Sequence, residues 1–275
     1  MSILIGLDIG GSTTKIVGFD GENLLEPVWV KANDQVASAY GAFGKFIEKH
    51  HIPLKKIRKI MATGVGLSYL EGDIFGIETQ GVPEFDSVGI GGLYLAGLQK
   101  AIVVSMGTGT SLVAAQEGKV QHLIGSGVGG GTLLGLLGRL INVHDFETIE
   151  KLSQLGDLNQ VDLTVGDITT LKIPGLTPDT TASNFGKVND LVEDKDLALG
   201  VVNLVFQSIG TASVLSARLM GLSDIVVTGN LTRLSAGRKV LKGFSELYQL
   251  NFIVPDLAEY ATAIGAALLE LKADQ

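Results

Sequence analysis

The stretch Ser2-Ile-Leu-Ile-Gly-Leu-Asp-Ile-Gly-Gly-Ser-Thr-Thr-Lys-Ile-Val-Gly-Phe-Asp20 decides the fold. Ile3, Leu4, Ile5, Leu7 and Ile9 read as a buried strand. Gly10 and Gly11 force a tight turn where backbone can approach a ligand closely. Ser12, Thr13 and Thr14 add hydroxyl and N–H donors, and Lys15 adds a compact positive charge. Ile16 to Phe19 resumes as a strand, and Asp20-Gly21 is a hairpin turn signal. Two strands therefore meet at a donor-rich glycine turn with Asp8 at its base. Polyphosphates need such donors, and magnesium needs such a carboxylate. An ordinary glycine-rich hairpin would show the same letters.

The pattern returns at Ala101-Ile-Val-Val-Ser-Met106, which runs into Gly107-Thr-Gly-Thr-Ser111 and a second strand, then a turn at Glu117-Gly118. Gly10 to Gly21 and Gly107 to Gly118 have equal spacing, as expected of a duplicated unit. Outward from these hairpins, the first half reads β-β-β-α-β-α. Its third strand spans 24–31, a helix runs from Asn33 or Asp34 to about His50, a strand covers 59–63, and a second helix covers 84–98. The second half reads the same way, with helices near 133–141, 145–155, 197–219, 237–248 and 258–271 and strands near 224–228 and 251–254. Residues 156–194 are polar and poorly periodic, as in an inserted cap, and Thr181 to Lys187 is a donor-rich loop within it. The expected organisation is an N-terminal lobe over 1–99 and a C-terminal lobe over 100–275 that carries the cap. Glycines at strand ends mark where open α/β sheets place ligands.

Composition narrows the chemistry. The chain has 275 residues, 45% hydrophobic, long enough to bury a core without metal or disulfide. With no cysteine there is no disulfide, thiolate zinc site, cysteine-ligated cluster or cysteine nucleophile. The net charge of −8 and the lack of a basic patch argue against nucleic acid. No signal peptide and no long apolar run stand out, so neither secretion nor membrane insertion is expected.

Taken together, the two glycine hairpins and Ile225-Val-Val-Thr-Gly-Asn-Leu231 resemble the phosphate and adenosine motifs of the actin-like ATPase superfamily. Further landmarks come in order: Met61-Ala-Thr-Gly-Val-Gly66, Pro83-Glu-Phe-Asp86, Gly125-Ser-Gly-Val-Gly-Gly-Gly-Thr-Leu-Leu-Gly135, Ala182-Ser-Asn-Phe-Gly-Lys187 and Glu259-Tyr-Ala-Thr-Ala-Ile-Gly-Ala-Ala267. Their order and wording resemble the type II pantothenate kinases over nearly the whole chain. That resemblance implies an α/β fold of duplicated actin-like (ribonuclease H-like) lobes. Each lobe would be a mixed five-stranded sheet with helices, with an ATP cleft between them. It implies ATP-dependent phosphorylation of the pantothenate hydroxyl, the first step of coenzyme A synthesis, by a cytoplasmic homodimer.

Carried over by position, the resemblance assigns Asp8 to magnesium through water. Gly10, Gly11, Ser12 and Lys15 would face the ATP phosphates, with Gly107, Thr108 and Gly109 as the second phosphate loop. Gly129, Gly130 and Gly131 would line the nucleotide site, with Gly229 and Asn230 near the adenosine. Glu84 would be the general base, and His122, Thr108 and Tyr260 would meet substrate, Tyr260 in the partner's pocket. Plain alternatives stand beside these roles. Glu84 and Asp86 suit a helix first turn, Asp8 suits a turn cap, Lys15 a hairpin surface and Tyr260 a core. His122 departs from the family, which usually has an arginine there. An imidazole lacks the bidentate fork, so pantetheine, another pantothenate derivative or an amino sugar are competing acceptors. A non-catalytic nucleotide-binding regulator of the same fold is the other competing reading. Activators of acyl-CoA dehydratases share the superfamily but need cysteines for their cluster.

Overall fold

A computed structural model describes residues 2–273. The first half comprises β1 (Ile3–Ile9), β2 (Thr13–Asp20), β3 (Asn23–Leu24), β4 (Val28–Lys31), α1 (Gln35–Lys49), β5 (Ile57–Thr63), β6 (Thr79–Gly81) and α2 (Glu84–Ala96). The second half begins with β7 (Lys100–Met106), β8 (Thr110–Gln116), β9 (Lys119–Ser126), α3 (Gly130–Ile141) and α4 (Phe146–Leu155). The segment before the longest helix contains β10 (Leu163–Thr164), α5 (Val165–Ile168) and β11 (Thr181–Ser183). The chain closes with α6 (Asp194–Met220), β12 (Asp224–Thr228), α7 (Ser235–Tyr248), β13 (Asn251–Ile253) and α8 (Ala261–Ala273).

The first sheet has the order β3-β2-β1-β5-β6, with β4 also paired to β2. It has six strands rather than five because Glu26-Pro27 breaks the third strand in two. Proline has no N–H to give the ladder and is tolerated only at such an edge. β3 pairs with Phe19 and Asp20, and β4 with Thr13 to Ile16, so both continue one edge position. The second sheet has the order β13-β12-β7-β8-β9. In both sheets the hairpin is antiparallel and the inner strands are parallel. Glu117 and Gly118 both have positive φ, the two-residue turn expected between β8 and β9. Asp34 caps α1 by accepting from Ala37 N–H at 2.7 Å, and Asp145 caps α4 by accepting from Thr148 N–H at 2.9 Å.

Each sheet is covered on both faces. Ala39, Ala42, Phe43 and Phe46 of α1 cover the outer face of the first sheet. The outer face of the second packs on α3, α4, α6 and α7 through residues such as Leu133, Ile149, Val205, Phe206 and Leu241. The inner faces are exchanged. Val88 of α2 packs on Ala101, Val103 and Val113 of the second sheet. Ala263, Ile264 and Ala267 of α8 pack on Leu4, Val17 and Met61 of the first. A cut between residues 99 and 100 divides the chain but not this packing.

α6 extends the helix expected over 197–219 to 194–220 and is long and apolar enough to cross a bilayer by length and composition alone. Its residues Val201, Val202, Val205, Phe206 and Ile209 are buried in the largest core cluster, so here it is the core helix of the second lobe. The 156–194 segment is tied to α6 by Asp162, which is only 1% exposed. Its carboxylate accepts from Asn203 Nδ2 at 2.6 Å, Phe185 N–H at 2.9 Å and Asn184 Nδ2 at 3.1 Å. A buried carboxylate is tolerable only when its lone pairs are met this fully.

The lobes join where α2 and α8 cross at backbone contact. A Cβ on Gly91 would lie 1.8 Å from the Ala261 carbonyl oxygen, and one on Gly265 would lie 1.8 Å from that of Ser87. No side chain fits at either position without the helices parting. Gly265→Ala should therefore destabilise the protein by about 2–3 kcal/mol, at the upper end of overpacking costs. Urea denaturation followed by circular dichroism reads this, and an unchanged midpoint would mean that the crossing yields freely.

Candidate active site

The two glycine turns face each other across a cleft of about 510 Å³ between the lobes. In the first hairpin the ladder sets Asp8 opposite Lys15. Directly opposed side chains in an antiparallel pair are neighbours, and Lys15 Nζ lies 3.4 Å from Asp8 Oδ2. The corresponding ladder pair in the second hairpin is Ser105 and Ser111, both of which line the cleft. The duplicated hairpins therefore carry charge on one side only. At their tips, Ser12 Oγ lies 3.2 Å from Thr108 Oγ1, a hydroxyl contact that spans the lobes.

Gly10 closes its own turn, donating its N–H to the Thr13 carbonyl at 3.1 Å. Its amide is spent on the turn and is not free for an anion. In the second turn the carbonyls are taken instead: Gly130 N–H donates to Gly107 and Gly131 N–H to Thr108, at 2.9 and 2.8 Å. These bonds satisfy the first orphan donors of α3 and hold the loop from behind. The helix therefore starts inside the glycine run, earlier than the sequence reading at 133. Of the three glycines only Gly130 lines the cleft, and Gly129 and Gly131 support the turn.

Glu84 is the first residue of α2, just after Pro83. Its approach is fixed from β5: Val82 N–H donates to the Ala62 carbonyl, and Thr63 Oγ1 donates to the Val82 carbonyl, both at 2.9 Å. The Glu84 carboxyl faces the cleft and remains open to solvent on that side. Partial burial raises its pKa above the ordinary carboxylate range, the Asp8 charge raises it further, and Lys15 opposes both. Asp86 does not line the cleft. Phe85 turns the other way and stacks on His122 of β9, ring centroids 4.0 Å apart and 13° from parallel. His122 thus braces the start of α2 and does not line the cleft itself.

At the far end, β12 stops at Thr228, and Gly229 takes φ 92°, ψ 176° before a short 3-10 turn over 230–233. The first half does the same after β5, where Gly64 takes φ 94°, ψ 163° before the turn over 65–69. Gly229, Asn230 and Val65 reach the cleft. The repeat extends further. β6 is followed by Val82-Pro83 and β13 by Val254-Pro255, each leading to a helix that crosses to the other lobe. At those crossings Glu84 and Glu259 both line the cleft.

Tyr260 lies in the core of its own chain and outside the cleft. It is 8% exposed and packed with Leu4, Val17, Phe19 and Met61. Burial raises the pKa of its hydroxyl. Its neighbours Glu259 and Thr262 line the cleft in its place, and neither stood out in the sequence reading. The repeated Val-Pro pair was the signal that could have located Glu259. Among the described residues there is no cluster of three or more acidic or histidine side chains placed to hold a metal.

The family model described as Fumble matches residues 96–246. A type II pantothenate kinase of Bacillus thuringiensis subsp. konkukian is 28% identical over 240 residues, covering 84% of this chain and 83% of that protein. A type II pantothenate kinase of Bacillus cereus is 27% identical over 292 residues, covering 99% of this chain and all of its own. Among solved structures, the activator of the 2-hydroxyisocaproyl-CoA dehydratase from Clostridium difficile with bound ADPNP superimposes with a TM-score of 0.72. It is 17% identical and covers 99% of this chain and 97% of that one. That likeness shows the fold, which is the two-lobed actin-like one.

Because the folded protein holds a proton on Glu84 more readily than the unfolded chain, ionising this group costs folded stability as pH rises through its raised pKa. Glu84→Gln should therefore raise the melting temperature modestly near pH 7–8, and the gain should fade as pH drops to about 4. Scanning calorimetry across that range checks it, and a gain that is constant with pH would refute the electrostatic origin.

Proposed function

The chain belongs to the Fumble family, and on that footing we propose that it is a type II pantothenate kinase, transferring the terminal phosphoryl group of ATP to the hydroxyl of pantothenate. The observation that carries the reading is one cleft that gathers Glu84, Asp8, Lys15 and both glycine turns. Phosphoryl transfer asks the protein for positioning and charge stabilisation rather than covalent chemistry. Lys15 and the N–H groups of Gly11, Ser12, Gly107, Thr108 and Gly109 face the phosphates. Glu84 accepts the proton that leaves the acceptor hydroxyl as its oxygen bonds to phosphorus and the bond to the ADP oxygen breaks. Its raised pKa brings it nearer to the proton it must take.

The charge balance of the cleft also calls for a divalent cation. Asp8, Glu84 and Glu259 face a single lysine, Lys15, so a polyphosphate enters an acidic site. Asp8 fits magnesium held through water, the usual mode in which one or two carboxylates and the substrate phosphates share the ion. When bound, the ion neutralises charge on the phosphate oxygens. We place the enzyme in the cytoplasm as a homodimer. Exposed leucines on α3 and α6 (Leu136, Leu140, Leu215 and Leu219) supply apolar area for such a contact. Tyr260, buried in its own chain, does not support it.

Glu84→Gln should lower turnover by about 10²–10⁴-fold, the usual contribution of a general base, while nucleotide still binds. ADP release with pantothenate, pantetheine and N-acetylhexosamines as acceptors is the measurement. Full activity in the variant would remove Glu84 from the mechanism. Because the cleft lining holds no arginine among the described residues and His122 lies outside it, a second reading of the acceptor has the uncharged tail of pantetheine used as readily as a carboxylate. His122→Arg, which restores a fork for a carboxylate, should then shift kcat/KM toward pantothenate over pantetheine. An unchanged ratio would show that this position does not set acceptor choice.

A further inference from the structure

Of the carboxylate and amide side chains lining the cleft, Glu84, Asn230 and Glu259 make no hydrogen bond or ion pair with a described residue. Asp8 pairs with Lys15, Ser12 with Thr108, and Thr110 Oγ1 donates to the Val128 carbonyl at 2.8 Å, while the hydroxyls of Thr13, Ser105, Ser111 and Thr262 also lack a side-chain partner among the described residues. Side chains left open toward a shared cavity are those free to meet a ligand. Glu84 is taken up by the proposed reaction. Glu259 is not, although it lines the same cleft in the turn that leads into the other crossing helix.

The position of Glu259 is built with some care. Leu257 before it has φ 59°, a left-handed conformation that costs a branched residue energy. That bend is held by Tyr260 N–H on the Leu257 carbonyl at 2.8 Å, and by Gly229 N–H on the Ala258 carbonyl at 3.0 Å. The second bond joins the Glu259 turn directly to the Gly229-Asn230 turn. Glu259 and Asn230 are therefore set side by side from two segments about thirty residues apart, and Thr262 follows one helical turn on.

A carboxylate accepts hydrogen bonds and does not donate them. Facing phosphate oxygens it would repel them, in a cleft that already has more acids than bases. On a nucleotide the groups it can serve are donors, and its two oxygens match a vicinal pair of hydroxyls. We propose that Glu259, with Asn230 beside it, binds the 2′ and 3′ hydroxyls of the nucleotide's ribose. The cross-lobe carboxylate of the first half then serves the acceptor alcohol, and that of the second half serves the nucleoside. This assignment rests on the kinase reading of the cleft.

Equilibrium binding of ADP and of 2′,3′-dideoxy-ADP with magnesium, measured by calorimetry, tests it without any acceptor. Wild-type protein should favour ADP by on the order of tenfold or more, as expected for hydrogen bonds to a charged group. Glu259→Ala should bind the two nucleotides alike, with its affinity for the dideoxy form unchanged. Glu259→Gln, which keeps one acceptor oxygen, should retain part of the preference. Equal weakening of both nucleotides by Glu259→Ala, or no preference in the wild type, would overturn the assignment and leave the kinase reading standing. If neither nucleotide bound the wild type, both would fall.

Discussion

Two helices crossing at backbone distance make this cleft possible. With Gly91 against the Ala261 carbonyl and Gly265 against that of Ser87, α2 and α8 form one central layer shared by both sheets. Packing this close is set by hard contact between main chains, so it fixes the distance between lobes more tightly than interdigitated side chains would. Each helix begins at the cleft and runs away from it along the other lobe's sheet. The acids at their starts, Glu84 and Glu259, are therefore placed by the same joint that holds the lobes together.

On that frame the two halves are similar in backbone and different in chemistry. Gly64 and Gly229 take nearly the same φ after equivalent strands. The hairpins occupy matching ladder positions, yet one carries Asp8 and Lys15 where the other carries Ser105 and Ser111. A symmetric cleft would treat both of its ends alike. Confining the ion pair to one hairpin makes the two ends of the cleft electrostatically different. The inserted segment adds to the asymmetry. Only the second lobe has it, and the buried Asp162 network fastens it to α6.

Electrostatics then select what the cleft can hold. Excess carboxylate in a partly desolvated space disfavours a bare polyanion and favours one that carries its own divalent cation. Burial raises the pKa of Glu84 and the nearby charge of Asp8 raises it further, so the same acidic surroundings also tune the proposed base.

The sequence by itself determined the local parts. Glycine runs after apolar strands marked both turns, Asn33 or Asp34 and Asp145 marked helix starts, and the equal spacing of the hairpins marked the duplication, because each depends on nearby residues in the chain. Asp8, Lys15 and the glycines of both loops stood out for the same reason, whereas Glu84 stood out only through the resemblance carried by Pro83-Glu-Phe-Asp86. Only the tertiary structure decided that α2 and α8 exchange sheets, that Tyr260 is interior while Glu259 reaches the cleft, that His122 stacks on Phe85, and that Gly10 spends its amide on its own turn. The sequence reads 24–31 as one strand, and only the structure decided that it breaks at Pro27 with both fragments still paired to β2. Contacts between positions such as 91 and 261 leave no periodic trace in the residues around either one, since a helix with two faces buried reads the same whichever sheet it covers.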